Sequence, residues 1–154
     1  MRSPAPVDLR YNALLQLLRS ADTLWNASRA FFARWGLSPS QFNVLNLLRL
    51  HPQGLSQTDL SRQLIMHRSN LTGLVDRLES RSLVQRKENS SDRRAYRVVL
   101  SEKGTRLLDE ILPHYHNQAD RVWKNIPAKR ASELLVDLQQ VAQNAQTIAT
   151  ELSE

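Results

Sequence analysis

The sequence predicts a mainly α-helical fold broken once by a two-stranded antiparallel hairpin, on three observations. Apolar residues recur at three- and four-residue steps over most of the 154 residues. Helix-start residues stand just ahead of those stripes at Ser38, Ser56 and Ser101. Between residues 83 and 100 the pattern changes to two short strand-like runs flanking a polar turn.

The first helix is predicted from Asp8 to about Trp35. Leu14, Leu17, Leu18, Ala21, Leu24, Trp25, Phe31, Phe32 and Trp35 fall on one side, and Arg19, Asp22, Asn26 and Arg29 lie between them. At about 1.5 Å per residue this helix is roughly 40 Å long, longer than a small domain covers. Gly36 is its expected C-cap. Ser38, Pro39 and Gln41 then open a second helix as N-cap, first helical residue and capping-box partner, with Phe42, Val44, Leu45 and Leu48 inward.

His51, Pro52, Gln53 and Gly54 break the chain, and Ser56 with Asp59 starts a short third helix. A fourth runs from just after Met66 and His67 to about Arg81, with Leu71, Leu74, Val75 and Leu78 on its apolar face. Two such helices joined by a brief turn fit helix-turn-helix geometry. Strands follow over 83–87 and 95–100, with Asp92, Arg93 and Arg94 at the tip of the hairpin. Ser101 caps a long helix in which Pro113 is expected to introduce a kink. Ile126 and Pro127 close that helix and open the last, whose stripe is Leu134, Leu135, Leu138, Val141, Ala142, Ala145 and Ile148.

The net charge is +6, and its distribution points to a polyanionic partner. Residues 56–106 hold eleven Lys and Arg against six Asp and Glu, whereas the rest of the chain holds ten against nine. The chain has no cysteine, which excludes disulfides, thiolate metal sites and cysteine nucleophiles. It also lacks a G-x-S-x-G elbow, a phosphate-binding P-loop and an H-E-x-x-H pair, so the common hydrolase, NTPase and metalloprotease readings have no support and no cofactor is expected. His114 and His116 are two residues apart on a helix, about 200° around its axis, which is poor geometry for a shared metal. The N-terminus has no apolar signal core and no stretch resembles a membrane span, so a cytoplasmic protein is expected.

With the apolar face of the fourth helix inward, Ser69, Thr72, Gly73 and Asp76 face out, flanked by Arg68, Asn70 and Arg77. A short, polar, basic helix end of this kind suits the major groove. Arg68 offers a fork for guanine, Asn70 a pair for adenine, Ser69 and Thr72 reach base or phosphate, and Gly73 removes bulk. Taken alone, such a face reads more readily as a solvated one. The basic hairpin directly after it favours DNA. Asp76 would repel DNA if left alone, so it is expected to meet an arginine.

The order of four helices, hairpin and two helices resembles the MarR family. So do the segments Leu74-Val75-Asp76-Arg77-Leu78-Glu79, Leu83-Val84-Gln85-Arg86, Asp92-Arg93-Arg94 and Leu100-Ser101-Glu102-Lys103-Gly104. Ser82 and His67 depart from it, standing where the family usually has a glycine and a small hydroxyl residue. The resemblance implies a winged helix-turn-helix lobe over residues 37–100 and a helical dimerisation region over 8–35 and 101–152, in one unit spanning 1–154. It implies a homodimer on a pseudo-palindromic operator, a repressor released by a small aromatic anion, and a crevice lined by Trp25, Phe42 and Tyr115. Core packing explains those three residues more simply. The resemblance further implies that Arg94 enters the minor groove, that Asp92 orients the wing through an arginine, and that Arg93 serves phosphates or the hairpin. The alternative is a winged-helix module that binds protein or RNA, against which Arg68, Arg77, Arg93 and Arg94 speak.

Overall fold

The computed structural model describes residues 8–64, 71–89 and 92–153, with 89 and 92–95 in backbone only. Two compact units divide the chain, Met1–Leu108 and Asp109–Glu154.

In the first unit, helix α1 (Leu9–Phe32) begins at Asp8, whose carboxylate accepts from the N–H groups of Arg10 and Tyr11 at 3.1 Å. This satisfies two donors that a helix start leaves without partners. The helix tightens into a 3₁₀ turn over Ala33–Trp35 and closes at Gly36, which is left-handed at φ 61°. The Gly36 N–H donates to the Ala33 carbonyl at 3.0 Å and the Leu37 N–H to the Phe32 carbonyl at 3.2 Å. These two bonds define a Schellman stop. Helix α2 (Pro39–Arg49) carries the expected capping box: Gln41 N–H donates to Ser38 Oγ at 3.2 Å, and Ser38 N–H to Gln41 Oε1 at 2.8 Å.

The core forms where α1 ends. The Phe32 ring stacks on that of Phe42 with centroids 4.2 Å apart, an arrangement worth about 0.5–1.5 kcal/mol beyond the area it buries. Val44, Leu45 and Leu48 of α2 are fully buried with Leu60 of α3 (Gln57–Gln63) and with Val75 and Leu78 of α4 (Leu71–Ser80). These three helices contact one another pairwise. Ser56 caps α3, accepting from Asp59 N–H at 3.1 Å and donating to Asp59 Oδ2 at 2.6 Å.

The hairpin is longer than predicted and is not alone. Strands β2 (Val84–Asn89) and β3 (Asp92–Leu100) pair antiparallel from Val84↔Leu100 outward to Asn89↔Asp92. Residues 92–94, expected in the turn, therefore belong to the strand. The two-stranded wing is corrected to a three-stranded sheet of order β1-β3-β2, because Leu55 and Ser56 form a short β1 against Val98 and Arg97. The cause is the free edge of β3, whose backbone groups need partners. Arg97 strengthens the junction by donating Nη2–H to the Gly54 carbonyl at 2.7 Å.

Helix α5 (Glu102–Val122) starts at Ser101, whose Oγ accepts from Gly104 N–H at 2.9 Å, and it contains Pro113. The second unit holds the remainder of α5, a turn in which Asn125 is left-handed at φ 70°, and helix α6 (Ala128–Glu151). No residue of α6 is buried, and Leu135, Val136 and Ile148 are 56, 63 and 54 % exposed.

Candidate nucleic-acid interface

Helix α4 separates its faces as its periodicity predicts. Val75 and Leu78 are buried, Leu71 and Leu74 are half-buried, and Thr72, Asp76 and Arg77 are exposed. Gly73, expected on the open face, is half-buried. Arg68, Ser69 and Asn70 lie outside the described residues. So do the side chains of Asp92, Arg93 and Arg94, which occupy the first positions of β3 in backbone.

Asp76 meets an arginine, and it is Arg86 of β2. The Arg86 guanidinium donates Nη2–H to Asp76 Oδ1 and Nη1–H to Glu79 Oε2, while its backbone N–H donates to Glu79 Oε1 at 2.9 Å. One cation thus closes over two carboxylates one helical turn apart and ties α4 to the first wing strand. The hydrogen bond that Arg86 donates to Asp76 raises the Arg86 pKa above its ordinary value, burial opposes the shift, and Glu79 adds to it. The guanidinium stays charged, and the outward carboxylate on the exposed face of α4 is neutralised.

The C-terminus of α4 is a second Schellman stop. Ser82 N–H donates to the Glu79 carbonyl at 2.8 Å and Leu83 N–H to the Leu78 carbonyl at 2.9 Å. Ser82 takes the left-handed position at φ 58°. The departure noted at Ser82 therefore falls where the backbone asks for glycine, and the chain adopts that conformation with serine. Leu78 and Leu83, the apolar pair that accompanies such stops, are both fully buried.

Residue identity alone did not single out Arg86 or Arg81. Arg86 carries a signal in retrospect, since a basic residue on the strand after an outward Asp and Glu is the natural partner. Arg81 carries none, because the groups it bonds are 45 and 46 residues away. Of the three residues suggested for a ligand crevice, Phe42 is 1 % exposed and engaged with Phe32. Trp25 on α1 and Tyr115 on α5 are half-buried. Among the described residues no group of three or more His, Asp or Glu could hold a metal.

A tri-helical core whose third helix is braced to an antiparallel wing defines a winged-helix protein. Comparison with known proteins places it further. The model of the MarR family matches residues 35–95. The transcriptional repressor NicR of Pseudomonas putida is 32 % identical over 116 residues, 72 % of this chain and 73 % of NicR. The repressor MprA of Escherichia coli is 34 % identical over 100 residues, 64 % of this chain and 57 % of MprA. A structure of the repressor CouR bound to a 23-mer DNA duplex superposes with a TM-score of 0.77 at 28 % identity, covering 91 % of this chain and 99 % of that one. CouR from Rhodococcus jostii bound to p-coumaroyl-CoA gives a TM-score of 0.78 at 27 % identity, over 89 and 96 % of the two chains. The chain belongs to the MarR family of transcriptional regulators.

Proposed function

We propose that this chain is a homodimeric, sequence-specific duplex-DNA-binding repressor that a small aromatic anion releases from its operator. The observation that carries the reading is the Arg86 brace. It holds the exposed face of α4 and the wing as one body and removes the charge by which Asp76 would repel phosphates. The basic surplus of residues 56–106 supplies the general attraction for DNA. CouR, bound to a duplex in one structure and to an aromatic acyl thioester in another, supports both halves of the cycle.

In this reading Arg68, Asn70, Ser69, Thr72 and Gly73 present the end of α4 to base edges. Arg77 and Arg93 serve phosphates, Arg94 enters the flanking minor groove, and Asp92 orients the wing. The dimer is formed by residues 8–35 and 101–152. Its case is the apolar surface left open on α1 and α6, including Leu14, Leu18, Leu135 and Ile148. The described residues contain no helix long and apolar enough to cross a membrane, and the protein acts without catalysis in the cytoplasm, where its DNA lies.

Selection of bound sequences from random duplex DNA tests the reading. The expected product is a pseudo-palindrome with half-sites about 10–10.5 base pairs apart. Recovery of no preferred sequence, with RNA or a protein bound as well as duplex, would favour the interaction-module alternative. Calorimetry with phenolic carboxylates, with and without the selected duplex, tests release. The ligand that weakens DNA binding must itself bind more weakly to the DNA complex by the same factor.

A further inference from the structure

The turn after α4 is bonded from two sides, by the end of α1 and by the start of α5, through groups to which the DNA-binding reading gives no role. Arg81 is the last residue before the left-handed Ser82, and its side chain reaches back to the end of α1. Nη1–H donates to the Gly36 carbonyl at 2.6 Å and Nη2–H to the Trp35 carbonyl at 3.0 Å. Those carbonyls belong to the other Schellman stop, so one guanidinium joins two helix ends cap to cap. The next element takes up the backbone of the same turn. Lys103 Nζ donates to the Arg81 carbonyl at 2.9 Å, Ser101 Oγ to the Ser82 carbonyl at 2.7 Å, and Ser101 N–H to the Leu83 carbonyl at 3.1 Å. Three consecutive carbonyls are thus held by the start of α5.

The α1 end also packs on α2 through Phe32 and Phe42. Apolar packing holds position but is nearly indifferent to direction. A guanidinium fork to two carbonyls is directional, because its planar donors accept only a narrow set of angles. Arg81 is therefore a directional link between the end of α4 and the end of α1.

We propose that Arg81 is a positioning residue that sets how strictly the protein measures the distance between half-sites. The inference rests on the dimer reading above. If α1 joins the two protomers and α4 enters the groove, the separation of the two recognition helices is only as well defined as the α1–α4 connection. A stiff connection preorganises one separation and penalises others, whereas a loosened one spreads the separations and weakens the penalty.

The experiment uses the full-length protein and the duplex it selects, together with the same duplex carrying two extra base pairs between the half-sites. Fluorescence anisotropy gives the ratio of the two dissociation constants for wild type and for Arg81→Gln, Arg81→Lys and Lys103→Met. The spacing ratio is expected to fall by about threefold or more in Arg81→Gln. It should fall less in Arg81→Lys, which keeps a charged donor on a single nitrogen but loses the planar fork, and in Lys103→Met, which removes only the backbone clamp. A purely structural role would lower the folded fraction and weaken both duplexes equally, leaving the ratio unchanged. An unchanged ratio in the folded variants overturns the inference. If Arg81→Gln does not fold, the two milder variants decide it in the same way. Wild-type protein that binds the selected duplex as a monomer, or without any spacing penalty, instead refutes the dimer reading beneath it.

Discussion

Removing the Arg86 guanidinium should weaken DNA binding without any DNA contact being lost. In Arg86→Gln the backbone N–H that donates to Glu79 at 2.9 Å remains, while both side-chain ion pairs disappear. Asp76 and Glu79 have side chains 56 and 37 % exposed. Solvent screening therefore holds each pair near the exposed-pair range of about 0.2–1 kcal/mol, and folding should lose about 1 kcal/mol in all. For a chain of this length that lowers Tm by about 2–4 °C. Binding carries the larger effect. An unpaired Asp76 about 4 Å from a phosphate costs about 1 kcal/mol even at the dielectric constant of bulk water. Two half-sites double this to about 2 kcal/mol, or roughly 30-fold in affinity. The second variant separates repulsion from misplacement, because Asp76→Asn in the Arg86→Gln background removes the charge without restoring the brace. Anisotropy titrations at several salt concentrations should show the double variant regaining most of the lost affinity. An Arg86→Gln protein that binds like wild type, or a double variant no better than the single one, would refute the charge argument.

Ser82→Gly should stabilise the fold by about 0.5–1 kcal/mol. It relieves a left-handed penalty of about 1–2 kcal/mol against a glycine entropy cost of about 0.5–1 kcal/mol, and a urea melt at constant m-value measures the difference. Gly104→Ala should be costly, since the added Cβ would lie 2.2 Å from the Leu83 carbonyl oxygen and 2.8 Å from Leu100 Cδ1. Overpacking of this kind costs about 1–3 kcal/mol, and an unchanged melt would show that α5 can move away from the turn. Arg94→Ala should lower the slope of log affinity against log salt by about one per wing and lose most on A·T-rich flanks. An unchanged slope and affinity would leave Arg94 without a part in DNA binding.

The sequence discloses those parts of the fold whose physics is local. Capping at Ser38 with Gln41 and at Ser56 with Asp59 depends on residues three apart, and all four behave as their spacing predicts. The faces of α4 follow from helical period, which is why the exposure of Thr72, Asp76 and Arg77 was legible. The third strand was not, because Leu55 and Ser56 are too few to show alternation and their pairing depends on an edge more than 40 residues later. The need of Asp76 for a cation could be argued from charge alone. Which cation answers it depends on the hairpin register. The Arg81 fork lies further from sequence reasoning still, since its acceptors are backbone carbonyls, and any residue type would supply those.

Helix α6 gives the chain an unusual relation to its own concentration. Its 24 residues bury none of their side chains fully within one protomer, and in proteins most of a helix's stability comes from packing an amphipathic face rather than from propensity. On the dimer reading its stability comes from a second chain, so folding of this segment and assembly share one equilibrium governed by mass action. Dilution should then act as a denaturant, and the melting temperature should climb with protein concentration. A regulator built this way has its amount in the cell as a second control on the number of working operator-binding molecules, independent of any ligand.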